Sequence, residues 1–431
     1  MQIMREHNVD KNNTANKVVQ KQNTYQMLIM LIFVMLVFCV SLFVIRLANA
    51  KTNRKIKLNK NNMTITVGKS QKLKVKNLPK SAKVSWKSSK KSVATVNKKG
   101  VVKAKKKGKA TISCKVSYGR KNKKKMVLKC KIIVEKKKSS KKSVVYMTKD
   151  ISAKSLLSVY NALNWKASGK TAVKISTGEP PASHYLDSNL IKDLVHSVDG
   201  TIVECNTAYG GDRSSTALHK KVAKDHGYTK IAEVDIMDSS GSMTLPVQGG
   251  SHLQKNYVGK HFKDYDSYVI LSHFKGHSMA GFGGAIKNTS IGIASSKGKS
   301  YIHSGGKSTE GFGGEQNAFL ESMSEAAKAV SDSLDGGKKI VYINVMNNLS
   351  VDCDCDGYAA KPKMKDIGIL ASTDPVALDQ ACVDLIYEQK NEDGASLVKR
   401  IESRNGILTL KHAEEIGLGS RSYKLVSIDS K

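Results

Sequence analysis

An all-β sandwich followed by an α/β domain with a mainly parallel sheet is the fold this sequence predicts, and three observations predict it. The chain of 431 residues is longer than one hydrophobic core usually organises, so two folded units are expected. Its charge is divided sharply. Between Lys51 and Lys142 there are 34 Lys and Arg against one acid, Glu135, whereas from Ser143 onward 33 basic residues face 33 acidic ones. The texture changes at the same place, from short alternating runs to apolar runs interleaved with helical patterns.

Residues 1–50 read as a cytoplasmic tail and a signal peptide or membrane anchor. Met27 to Ile45 is 19 residues without a charge, preceded by Arg5, Lys11, Lys17 and Lys21 and followed by Arg46 and the small-residue step Ala48-Asn49-Ala50. At about 1.5 Å per residue such a run nearly spans the hydrocarbon layer. Its length favours a transmembrane anchor, while the A-x-A step favours a cleaved, secreted product. Both place the bulk of the chain outside, so the expected localisation is extracellular or cell surface.

Residues 51–135 form the basic β domain. Met63–Val67, Gln71–Val75, Ala82–Trp86, Val93–Val96, Gly100–Val102, Ala110–Val116 and Met126–Val134 alternate apolar with polar, as half-buried strands do. Seven short strands in so short a stretch give a sandwich or a barrel. Trp86 is the large aromatic available as a core plug. Cys114 and Cys130 fall on the inward sets of two facing strands, where a disulfide and two buried free thiols are both open. The pattern T-I-T-V-G-K-S at 64–70 and V-S-W-K-S-S-K-K-S-V-A-T-V at 84–96 resembles the bacterial immunoglobulin-like domain of group 2. That resemblance implies an immunoglobulin-like surface or adhesive module without chemistry of its own. Residues 136–142 read as a charged linker.

Residues 143–431 form the α/β domain. Strands are expected at Val144–Met147, Thr171–Ile175, Thr201–Glu204, Lys230–Val234, Ser267–Ser272, Lys339–Asn344 and Ile367–Ala371. Helices are expected near 153–163, 187–197, 214–226, 317–331 and 374–388, the last capped by Asp374 with Pro375 at its first position. In such folds the segments that follow strands gather at one sheet edge, where ligands bind. Thr177–Pro181, Asn206–Arg213, Ser272–His277 and Asn347–Gly357 are those segments.

The sharpest chemical signal is Asp352-Cys353-Asp354-Cys355-Asp356. Two thiols and three carboxylates within five positions repel one another unless a cation joins them. In an extended backbone Cys353 and Cys355 would point one way and the three carboxylates the other. The candidate metal ligands are therefore Cys353, Cys355, Asp354 and Asp356, with His273 and His277 from the neighbouring segment. Mixed sulfur and oxygen donors lean toward zinc or iron, although no known spacing identifies the ion. A redox or disulfide role and an inert polar loop are the alternatives. Gly283, Gly284, Lys287 and Asn288 are a candidate anionic-ligand site, because a glycine-rich turn brings backbone N–H groups close to an anion and the lysine adds charge. His303 lies in another Gly/Ser stretch, and Cys382 reads as core.

S-H-F-K-G-H at 272–277, G-F-G-G-A-I-K-N at 281–288, C-D-C-D-G at 353–357 and D-I-G-I-L-A-S-T-D-P-V-A-L-D at 366–379 resemble the domain-of-unknown-function family 362. The resemblance implies an α/β domain often described as an iron–sulfur protein. In many members a ferredoxin-like insert supplies the cluster ligands. No cysteine lies between Asn288 and Asn344 here, so a ferredoxin-type cluster is not expected and Cys353/Cys355 is the relevant site.

The sequence thus points to an exported, cell-surface-associated metal-binding protein of unknown reaction, with metal-dependent hydrolysis and iron redox chemistry both open. The alternative is a non-catalytic cell-wall binding or adhesion protein. The basic domain is expected to hold an anionic cell-wall polymer or a membrane surface. No physiological nucleic acid is expected, and the small-molecule substrate is unknown.

Overall fold

A computed structural model of the chain describes residues 55–119, 124–135, 142–389 and 392–429, together with Met27, Met30, Met35 and Leu36. Two compact units divide the chain, Met1–Lys138 and Ser139–Lys431.

The first unit is a mostly antiparallel β structure. Its larger sheet places Gly108–Tyr118 between Lys83–Ser88 and Lys124–Glu135, with Asn62–Thr66 added in parallel on the outer edge of Lys124–Glu135. A smaller sheet joins Ser70–Lys72, Val101–Ala104 and Ala94–Val96. Alternation decides which residues meet inside: Ile112, Cys114, Val116, Cys130, Ile132 and Val134 are buried from facing strands, with Leu73, Val93 and Val102 across from them. Each such aliphatic contributes about 1.5–3 kcal/mol by leaving water. Cys114 and Cys130 are free and serve as small core hydrophobes, and burial pushes the Cys114 thiol up to about 11.

The second unit is built on one mixed sheet of eight strands: β1 Ser143–Thr148, β2 Thr171–Lys174, β3 Gly200–Glu204, β4 Val234–Ile236, β5 Ser267–His273, β6 Ile340–Met346, β7 Gly368–Ser372 and β8 Tyr423–Ser427. Their order is β4-β3-β2-β5-β6-β7-β1-β8. From β4 to β6 every pairing is parallel, β7 runs antiparallel to both β6 and β1, and β8 is parallel to β1. Every residue of β2, β5, β6 and β7 is buried, as strands covered on both faces require.

The covering helices are α1 Ala153–Ala162, α2 Ser188–Ser197, α3 Thr216–Asp225, α4 Ser296–His303, α5 Gln316–Ser333, α6 Pro375–Tyr387, α7 Glu392–Ser403 and α8 Ile407–Ile416. On one face Val269, Leu271, Val341 and Ile343 pack with Leu156 and Val159 of α1 and Ile191 and Leu194 of α2. On the other, Tyr268, Ile270, Ile340 and Tyr342 pack with residues of α5, α6 and α8. Asp374 caps α6 as its sequence predicts, accepting from the Val376 and Ala377 amides.

Two expectations need correction here. The strand expected at Lys230–Val234 is displaced: Tyr228–Lys230 is a 3₁₀ turn entered through left-handed Gly227 (φ 82°), and the strand is Val234–Ile236. The expected membrane anchor, and with it the extracellular or cell-surface placement, is not sustained. A spanning helix needs about 20 consecutive apolar residues, and among the described residues no helix is long and apolar enough to cross a membrane. Of 27–45 only Met27, Met30, Met35 and Leu36 are described; the rest lies outside the described residues.

Candidate metal centre

Strands β2, β3 and β4 run outward from β2 on one side, whereas β5 and β6 continue on its other side. The order in which strands are added therefore reverses between the parallel neighbours β2 and β5, and the crevice beyond the carboxyl ends of those strands is where an α/β sheet places ligands. The loops leaving β2, β3, β5 and β6 meet there. The Glu179 amide donates to the Asp354 carbonyl (2.7 Å) and the Ala182 amide to the Gly357 carbonyl (2.9 Å), tying the loop after β2 to the loop after β6.

Immediately after β5 the chain forms a short hairpin, Lys275–His277 against Gly281–Gly283. It packs closely on the loop after β6. The Gly276 amide donates to the Ser350 carbonyl at 2.8 Å, and a Cβ at Gly276 would lie 2.2 Å from the Val351 carbonyl oxygen. Only glycine permits that approach. The loop then turns: the Asp356 amide donates to the Cys353 carbonyl (2.8 Å) and the Cys355 amide points at the Cys353 sulfur (3.4 Å).

This turn brings Cys353, Cys355 and His277 together, with one ligand atom from each inside a span of 4.8 Å. Cys355 Sγ lies 3.7 Å from His277 Nε2, and Lys287 Nζ lies 3.9 Å from Cys353 Sγ. A hydrogen bond from Cys355 holds the Cys353 thiol well below its usual value, helped against burial by Lys287 and His277, while the same partnership and burial raise Cys355. Burial, with Lys287 next, keeps His277 below the usual imidazole range. His277 Nδ1 accepts the Met279 and Ala280 amides at 3.1 and 3.0 Å, which fixes the ring's orientation.

The carboxylates go elsewhere, because the backbone turns instead of extending. Asp354 is buried between Lys275 and His273: its Oδ2 accepts from Lys275, and its Oδ1 lies 2.9 Å from His273 Nδ1. Burial works to raise its pKa, but Lys275 and His273 outweigh it. The second nitrogen of His273 donates to the Asn347 carbonyl at 2.6 Å. Asp356 is exposed and caps its own turn by accepting from the Tyr358 amide. Asp352 pairs with Arg400 at 3.1 Å. Of the six ligands expected from sequence, the structure brings together Cys353, Cys355 and His277, and it places Asp354, Asp356 and His273 in other contacts.

The glycine-rich turn also has a partner already. The Ala285 and Ile286 amides donate to the two oxygens of Asp379 on α6 (2.8 and 2.9 Å), and a Cβ at Gly284 would meet that carboxylate at 2.4 Å. Gly283 faces only the stem of Lys287. Asn288 donates to the carbonyls of Lys174 and Leu271 and accepts from Lys174 Nζ at 2.9 Å. Lys287 alone of the four presents its charge to the sulfurs.

Residues that sequence reasoning did not single out complete the edge. Lys174, the last residue of β2, is fully buried against Glu204 (2.8 Å), and Arg213 bridges Glu179 (2.8 Å) and Glu204 (3.7 Å). Arg213 Nη2 also donates to Tyr209, whose hydroxyl donates to the Cys355 carbonyl at 3.4 Å. A lysine and a glutamate ending adjacent parallel strands were the available signal. His303 sits apart, its Nδ1 against the Lys299 carbonyl and its ring stacked on Phe319. Cys382 is buried and meets Asn344 Nδ2 at 3.4 Å.

The fold and site therefore define a two-unit protein in which a mixed α/β sheet carries a thiol–imidazole cluster at its switch point. Residues 171–384 match the family described as Domain of unknown function (DUF362), and residues 54–127 match Bacterial Ig-like domain (group 2). The chain carries a DUF362 domain following a group 2 Ig-like domain. No curated protein matches. Among solved structures, the lactate racemase apoprotein from Thermoanaerobacterium thermosaccharolyticum is similar at 16% identity and a TM-score of 0.35, covering 64% of this chain and 62% of its own. A GH10 xylanase from termite gut that contains a bacterial Ig-like domain is similar at 13% identity and a TM-score of 0.14, covering 63% of this chain and 60% of its own. The chain thus spans less than two thirds of either, and likeness at this level carries no argument about its activity.

An iron–sulfur cluster does not fit the residues present. A cubane is held by four thiolates, and among the described residues the only candidate ligand group is His277, Cys353 and Cys355. Cys205 and Cys382 are buried in contacts of their own, with the Ile293 carbonyl and with Asn344. The iron–sulfur description that the family resemblance implies therefore does not extend to the described residues of this chain.

Proposed function

We propose that the DUF362 unit binds one soft divalent metal ion, zinc by the chemistry of its donors, through Cys353, Cys355 and His277. The convergence of two sulfurs and an imidazole within 4.8 Å carries this reading. Thiolate and imidazole donors suit zinc, and three protein ligands leave one tetrahedral position open, the arrangement of catalytic sites. Two thiolates neutralise a divalent ion, so Lys287 leaves the site positive and favours a small anionic substrate at the open position. A metal there polarises such a substrate or activates water. Lys287 holds the substrate's charge, while the buried Asp354 pair and the Gly276 contact keep the cysteine loop in place.

Cobalt titration of the full chain under anaerobic conditions tests the reading. A thiolate-to-cobalt charge-transfer band is expected at one equivalent, weakened in Cys353→Ser or Cys355→Ser alone and lost when both are replaced; in His277→Ala the band persists with affinity reduced by at least about tenfold, as loss of a ligand implies. A titration without that band contradicts the proposal.

One observation favours a second reading. A metal-bound histidine normally donates its other ring N–H, but His277 Nδ1 accepts two amides, which leaves the proton on Nε2, facing the sulfurs. That is the arrangement of a thiolate–imidazole pair, with Cys353 as nucleophile and Cys355 as its partner thiol.

A further inference from the structure

The outer face of the larger sheet in the first unit has a pattern of its own, separate from the metal centre. In the register of that sheet the central strand Gly108–Tyr118 turns Thr111, Ser113, Lys115 and Ser117 outward. Lys83 and Lys87 flank it on one side, and Lys125, Lys129 and Lys131 on the other. Lys83 and Lys125 both lie opposite Ser117, and Lys87 and Lys129 both lie opposite Ser113. All five flanking lysines are exposed, whereas Thr111, Ser113 and Ser117 are half-buried between them. Long cationic side chains thus form two rails, broken by Ser85 on one side and by exposed Val127 on the other, beside a floor in which Lys115 stands among short hydroxyls.

Neither part has a partner among the described residues. Among the described residues no ion pair involves these lysines, and no hydrogen bond is made by the hydroxyls of Thr111, Ser113 or Ser117. The single acid between Lys51 and Lys142, Glu135, stands at the end of its strand. Seven ammonium groups on one face, counting Lys109 and Lys115, repel one another unless a polyanion lies among them.

We infer that this trough docks a linear, base-free phosphate polymer running along the central strand. The rails stand two strand spacings apart, about 10 Å, which admits one chain, and successive outward positions recur about every 6.6 Å along it. The hydroxyl floor donates to phosphate oxygens while the rails supply charge. Other polyanions fit less well. The four-stranded face is about 14 Å across, wider than the major groove of about 12 Å that admits a two-stranded ribbon. It carries no aromatic platform for unpaired bases, because Trp86 lies opposite Cys114 on the inward side.

Binding of labelled inorganic polyphosphate to the full chain, measured by fluorescence anisotropy across a salt series, tests the inference. With the seven lysines of this face neutralised, log K is expected to fall with log salt at a slope of about −5. The reversal K87E/K129E, at two exposed positions in one row, is expected to weaken binding by more than about tenfold near 0.15 M salt and to reduce the slope by about 1.4. The pair K98E/K99E, in a turn of the other sheet, makes the same change of charge and should weaken it by less than about threefold. Unchanged circular dichroism shows that the variants are folded. Equal losses in the two pairs would reduce the face to diffuse net charge. Undetectable binding near 0.15 M salt, or tighter binding of duplex DNA or of anionic lipid vesicles than of polyphosphate, would also overturn it.

Discussion

Cys353 and Cys355 stand two positions apart on one turn, yet their surroundings treat them differently: the hydrogen bond between them, with Lys287 and His277, lowers the pKa of Cys353, while the same bond and burial raise that of Cys355. Their spacing in the sequence marked the site, because no other stretch combines two thiols with neighbouring carboxylates. The role of Asp354 was not legible, since its partners Lys275 and His273 come from a segment about 80 residues earlier. With Lys275 and Asp354 both buried, Asp354→Ala strands an ammonium in the interior and should destabilise the unit by about 3–5 kcal/mol in urea unfolding; the double variant Asp354→Ala, Lys275→Met should recover part of that loss. A second prediction concerns His219. Burial lowers its pKa from 6.5 to about 3, and burial does the same to His303. The unfolded chain takes up these protons first as the pH falls. The stability these histidines confer is therefore complete above 6.5 and is lost as the pH drops toward 3, with a slope of up to about 1.4 kcal/mol per pH unit for each. His219→Gln should remove one such contribution between about pH 4 and 6, and an unchanged slope would count against its being buried neutral.

At the scale of elements, the loop after β6 is positioned by its neighbours. The hairpin after β5 contacts it at Gly276, the loop after β2 donates to it through Glu179 and Ala182, and Arg400 of α7 donates to the Val351 carbonyl. Gly276→Ala would press a methyl into the Val351 carbonyl and move the cysteine turn without touching a ligand. We expect about 1–3 kcal/mol of destabilisation together with weaker cobalt binding. Wild-type affinity in that variant would show that the turn is not held by this contact. Most elements were legible because period and caps agreed: β5 and β6 as apolar runs, α6 from Asp374-Pro375, and the basic strands from alternation. Helices α4, α7 and α8 were not. In α4, Ser296–His303, the buried positions include Lys299, Ser300 and His303, so no apolar stripe announces the helix and tertiary packing overrides weak propensity. The extended reading of Asp352–Asp356 failed for a related reason. The bond from the Asp356 amide to the Cys353 carbonyl is local, but sequence alone does not choose it over a strand.

For the whole molecule, the charge asymmetry between Lys51–Lys142 and the remainder coincides with the division at Lys138 and Ser139, so each unit has electrostatics and a role of its own. Every proposed ligand lies in the second unit. A fragment of residues 139–431 should therefore bind cobalt with the stoichiometry of the full chain while losing affinity for polyphosphate; a fragment that folds but binds no metal would contradict that separation. Elemental analysis of the anaerobically purified full chain beside its Cys353→Ser, Cys355→Ser variant bears on the metal centre without a probe ion. Close to one equivalent of zinc is expected in the native protein and almost none in the variant. Equal metal in both, or none in either, would contradict it and leave the thiolate–imidazole pair as the chemistry of the site.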